Sequence, residues 1–87
     1  MSNFSGGSAY GMANQISQGY TVVNPLNLKR MSRAELGKLQ FELQRIMTDL
    51  RSQQPGQDDT VALQTRNRKI SRVRQALQVI EHRLHGR

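Results

Sequence analysis

From Leu36 to Leu50 the apolar residues Leu36, Leu39, Leu43, Ile46 and Leu50 recur at steps of three and four, with Met47 widening the stripe. That spacing keeps one face of a 3.6-residue helix dry and leaves the other to the charged residues between. A second stripe runs through Leu63, Ile70, Val73, Leu77, Ile80 and Leu84. Between the two lies "SQQPGQDD", where Pro55 and Gly56 stop one helix and Asp58 or Asp59 can cap the next. Upstream, "MSRAEL" is a helix start: Ser32 as N-cap and Glu35 three residues on form a capping box, and Met31 can staple onto Leu36. Gly86 stops the second helix.

These features predict an all-α fold, a two-helix antiparallel hairpin with helices over about 32–52 and 59–85, roughly 30 and 39 Å long at 1.5 Å per residue. A hairpin buries only one stripe per helix, so an exposed flank is expected to meet a partner or a second copy in a helical bundle. The chain has 87 residues and no cysteine, so its core is modest and no disulfide or thiolate metal site reinforces it.

The charge changes abruptly along the chain. Residues 1–28 carry no charged side chain and are rich in Gly, Ser, Asn and Gln, whereas residues 29–87 are densely charged and periodic. The first part reads as a flexible tail whose sparse aromatics, Phe4, Tyr10 and Tyr20, can dock on a partner. Within it "YTVV", residues 20–23, either pairs as an edge strand or lies against the helices. The second part reads as the folded hairpin.

Thirteen Lys and Arg against six Asp and Glu leave a net charge of +7, a bias toward polyanionic partners. The densest cluster is "RNRKISRVR", Arg66 to Arg74. With Leu63, Ile70, Leu77 and Leu84 on the seam, Arg68 and Arg72 fall one turn apart on the opposite face, on a line continued by Gln75, Val79 and His82. Lys69 and Arg74 flank the seam and Arg66 sits on it. Arg66, Arg68, Lys69, Arg72 and Arg74 are therefore candidate phosphate contacts, and salt-dependent binding is the corollary. Well-solvated helix formers on a wet face are the plain alternative. Lys29, Arg30 and Arg33 form a second basic group, joined by Lys38, which an antiparallel hairpin places near Arg83 and Arg87.

Phe41 lies on the face opposite Leu36, Leu43 and Leu50, so either the tail covers it or it marks a protein contact. Phe41 and Val79 are the candidate protein-interaction residues. His82 and His85 with Glu81 are too few for a metal site and read as a complement to the helix C-terminus. There is no Ser/His/Asp set, no paired carboxylates and no phosphate-binding Gly loop. A non-enzymatic protein without cofactor, metal or small-molecule substrate is expected. No apolar run approaches 18 residues and no basic-then-apolar leader is visible, which points to a cytoplasmic protein without membrane insertion.

Three segments carry a resemblance to a known family: "LKRMSRAEL" (Leu28 to Leu36), "LRSQQPGQ" (Leu50 to Gln57) and "RNRKISRVRQAL" (Arg66 to Leu77). Together they resemble large ribosomal subunit protein twenty-nine, a helical hairpin that binds ribosomal RNA. The resemblance implies that Arg68, Lys69, Arg72 and Arg74 face RNA. It spans about two thirds of the chain and leaves residues 1–28 and Phe41 unexplained. The competing reading is a helical-hairpin chaperone or adaptor, similar in outline to the co-chaperones of type III secretion, that binds a partner protein through its apolar flank. A third is a homodimeric bundle binding RNA across its helices, similar in outline to Rop.

Overall fold

A computed structural model describes residue 4 and residues 7–56 and 58–85; the expectations for Gly86 and Arg87 fall outside them. The described residues are all-helical and form four helices rather than two. They are α1 (Ala9–Gln18), α2 (Pro25–Leu28), α3 (Arg33–Ser52) and α4 (Thr60–His85). The two long helices begin and end within one residue of the expected limits.

Their starts are set by the anticipated chemistry. Ser32 Oγ accepts from the Glu35 backbone N–H at 3.1 Å, and Glu35 Oε1 accepts from the Ser32 N–H at 2.9 Å, closing the capping box. Met31 and Leu36 are both buried beside it. At the start of α4, Asp59 Oδ1 accepts from the Ala62 N–H at 3.0 Å, so Asp59 rather than Asp58 is the cap.

The expectation of a flexible tail is corrected over residues 9–28. Met12, Ala13 and Ile16 of α1, Val23 of the following loop and Leu28 of α2 supply five of the fourteen buried apolar side chains among the described residues, so this segment is core and not appendage. Each of its helices carries its own stops. Ser8 Oγ caps the Gly11 N–H at 3.0 Å, while the Gly19 and Tyr20 N–H groups return to Ile16 O and Gln15 O, closing a Schellman motif. Gly19 has φ of +85°, the left-handed conformation that favours glycine there. Asn24 Oδ1 caps α2 through the Asn27 N–H, with Pro25 at the first helical position. "YTVV" forms no strand; Val23 lies buried against the helices and Tyr20 and Val22 stay exposed.

α3 is packed on both sides of its seam, against α4 and against α1, while α1 and α2 both touch α4. Leu28, Leu39, Leu43, Val73 and Ile80 lie at the centre. On α4 the buried line is Val73, Ala76 and Ile80; Ile70, Leu77 and Leu84 pack at its margin. Leu63, expected on the seam, is 39% exposed. It lies almost a turn before Arg66, which sits level with the last turn of α3, so α3 has ended where Leu63 would need it.

Candidate nucleic-acid interface

The five cations of the Arg66–Arg74 cluster divide into two groups by what they touch. Arg66 is half-buried: its Nε donates to Leu50 O at 2.7 Å, its Nη2 to Arg51 O at 3.4 Å and its Nη1 to Asn67 Oδ1 at 3.2 Å. The last carbonyls of a helix have no intrahelical donor, and Arg66 serves two of those at the end of α3.

Arg72 does the same for α1. Its Nη1 donates to Ser17 O at 3.2 Å, across 55 positions of sequence, and its guanidinium lies over Gly19. A Cβ built on Gly19 would sit 2.9 Å from Arg72 Cζ, so the absence of a side chain there gives the arginine its path to Ser17. The expectation that Arg72 points away from the fold is corrected: α1 occupies the side of α4 that a two-helix hairpin leaves open. Val79, on the same expected line, is half-buried and packs against the core for the same reason.

The pair Arg72 and Gly19 has a measurable signature. Arg72→Gln is expected to cost ~1 kcal/mol, less than the roughly 1.5–3 kcal/mol of a charge-assisted bond because the arginine is largely solvated, which lowers Tm by about 4–8 °C. Gly19→Ala is expected to cost at least as much, since φ is positive and the new methyl displaces the guanidinium. Thermal melts of the singles and the double variant should give a double-variant loss smaller than the sum. Strict additivity would mean that the two do not act through one contact.

Arg68, Lys69 and Arg74 make no hydrogen bond or ion pair with any described residue. Arg68 and Arg74 are exposed and Lys69 is half-buried. At 100° per residue Arg68 and Arg74 stand roughly 120° apart round α4, one on each side of its solvated arc. Lys29, Arg30 and Arg33 are exposed at the junction of α2 and α3, and Arg83 is exposed near the end of α4.

The other side chains singled out by the sequence fall elsewhere. Phe41 is 58% exposed on α3, with Arg45 Cζ 6.0 Å from its ring centroid. Arg45 Nη1 also pairs with Glu42 Oε1 at 3.2 Å. Among the described residues, Ala9 of the N-terminal segment borders the same hollow as Phe41 and leaves the ring exposed. Between the α1–α2 loop and α4, Ile16, Val22, Val23, Arg72 and Gln75 border a cleft of about 140 Å³. That is below the roughly 300–1,000 Å³ of drug-sized ligand sites. His82 and His85 are exposed, and no group of three His, Cys, Asp or Glu is close enough to hold a metal among the described residues. No helix of the described residues is long and apolar enough to cross a membrane.

Sequence reasoning missed the helix-capping work of Arg66 and Arg72. Neither has a local signal, because the carbonyls they serve lie 15 to 55 residues away. No protein-family model, curated protein or solved structure matches the chain.

Proposed function

We propose that this chain is a non-enzymatic, cytoplasmic helical protein that binds structured RNA along the solvated arc of α4. Arg68, Lys69 and Arg74 contact phosphates, and Lys29, Arg30 and Arg33 extend the basic surface. The observation carrying the reading is that these three α4 cations have no acidic partner among the described residues, whereas Arg66 and Arg72 donate to the carbonyls at the ends of α3 and α1. We read α3 and α4 as an antiparallel hairpin, supported by the link from Arg66 near the start of α4 to Leu50 at the end of α3. The resemblance to the ribosomal hairpin family points the same way. The spread of Arg68 and Arg74 to either side of the helix suits two phosphate strands flanking it, since affinity from phosphates follows the number neutralised.

The test is a fluorescence titration of the full chain with a folded RNA hairpin at about 50 and 200 mM salt. Replacing Arg68, Lys69 and Arg74 together by Gln is expected to weaken binding at least tenfold at the lower salt. It is also expected to flatten the slope of log K against log salt by about 2–3, at 0.7–0.9 per phosphate. Tm is expected to fall by no more than about 4 °C, because Arg68 and Arg74 are exposed and only Lys69 is half-buried. Unchanged affinity and slope in the triple variant would remove α4 as the binding surface.

A further inference from the structure

The outer face of α3, turned away from α4 and the core, carries a pattern that the RNA reading does not use. Ala34, Gly37, Lys38, Phe41 and Glu42 border one hollow, and Phe41, Gln44, Arg45, Thr48 and Asp49 border the next. The first four α3 residues of each set follow the spacing i, i+3, i+4, i+7. That is the four-residue hole into which a facing helix inserts one side chain in knobs-into-holes packing.

The two hollows share Phe41 as the ridge between them. The first is open to solvent and floored by small residues, Ala34 presenting a methyl and Gly37 no side chain. A Cβ at Gly37 would find open space within 4 Å. Ala9, the first residue of α1, closes the rim with another methyl. The hollow measures about 410 Å³, more than a phenylalanine side chain fills. A single helix face thus holds a large exposed knob and, one turn before it, a hole that fits such a knob.

We propose that this face is the interface of a homodimer, in which two copies of α3 pack antiparallel and each Phe41 fills the Ala34–Gly37–Lys38–Phe41 hollow of the other. Seating Phe41 over the middle of that hole places the two-fold axis level with residues 39 and 40. The axis brings like flanks of the two helices together. Lys38 and Glu42 share one flank, four residues apart, and the register sets Lys38 of each copy within about one helical turn of Glu42 of the other. Glu42 already pairs with Arg45 of its own helix at 3.2 Å, so in the dimer its carboxylate is shared between Arg45 and the partner's Lys38. With that shared carboxylate the face is self-complementary in charge as well as in shape, which is the requirement of an isologous contact. A foreign helix would need only a knob for the hole. A second copy supplies both the knob and the matching carboxylate. The dimer leaves the solvated arc of α4 free on both copies.

The experiment is sedimentation equilibrium of the full chain from dilute to concentrated solution, with circular dichroism as the check on folding. The wild type is expected to pass from monomer to dimer and no further. Gly37→Leu fills the hole with a residue of higher helix propensity than glycine. It should keep or raise helicity and melting temperature while weakening the dimer roughly tenfold or more, as loss of an interface anchor does. Phe41→Ala should do the same from the knob side. Lys38→Glu should weaken the dimer, and adding Glu42→Lys should restore it. A chain that stays monomeric at every concentration would overturn the proposal, as would a dimer indifferent to Gly37→Leu and Phe41→Ala. Phe41-dependent capture of a different protein by a chain that does not self-associate would overturn it in favour of an adaptor surface. RNA titration of Gly37→Leu reports separately on the α4 surface, so failure of one account is distinguishable from failure of the other.

Discussion

Ile16→Asp is expected to strip α1 from the body of the protein. Ile16 is 3% exposed and lies in the core with Met12 and Ala13, so the substitution sets an unpaired carboxylate among apolar side chains at a cost of ~3–5 kcal/mol. Undocking α1 limits that cost and reveals it, because a ten-residue helix does not persist alone in water. Far-UV circular dichroism should therefore lose the signal of α1, and the melt should broaden and shift down. Arg72 would lose its carbonyl at Ser17 at the same time and become a free cation on α4. A variant with the wild-type spectrum and melting temperature would return residues 9–28 to the status of an appendage.

Leu43→Ala should be comparably damaging for a different reason. Leu43 is fully buried on α3, where both α1 and α4 close over the seam, and a leucine truncated at such a site costs ~2–5 kcal/mol in lost burial and residual cavity. A chain of this length has roughly 4–13 kcal/mol of stability in total, so one truncation removes a large share of it. Leu63→Ala provides the contrast, since Leu63 is 39% exposed and should cost no more than about 1 kcal/mol. Chemical denaturation of the two variants separates them by midpoint. Equal losses would mean that α4 packs along its whole seam, as the sequence pattern by itself suggests.

That contrast shows where the sequence was legible. α3 and α4 could be read because their signals are local: a capping box at Ser32 and Glu35, a Pro-Gly break, and a sustained step of three and four. α1 could not be read from hydrophobic content, because its dry face is only Met12, Ala13 and Ile16 among polar neighbours. Its usable signals were the terminal ones, Ser8 before the helix and Gly19 after it. The small residues that make α1 look unstructured let it lie close to two other helices, and that packing stabilises it. On α4 the seam drawn through large side chains overlooked Ala76, which is 3% exposed and borders one cleft with Ile16 of α1 and Val22 and Val23 of the loop after it.

The basic cluster was legible as charge and not as function. Five cations in nine residues look equivalent in sequence, yet the fold uses Arg66 and Arg72 to complete the ends of α3 and α1. That leaves Arg68, Lys69 and Arg74 as the smaller set proposed to meet RNA. Phe41 was legible as an anomaly, since an aromatic opposite the seam has no core to pack into and meets only Arg45 over its ring. The neighbouring hollow over Gly37 gave that anomaly a shape.

The central claim is this division of one cationic segment between folding and binding. The direct measurement is the salt slope of RNA binding for a chain carrying Arg66→Gln and Arg72→Gln, taken well below its lowered melting temperature beside the wild type. The account predicts a less stable protein whose slope is unchanged within about half a unit, because neither arginine neutralises a phosphate. A slope flatter by about 1.4–1.8, the share of two phosphates, would contradict it and assign both arginines to the nucleic acid.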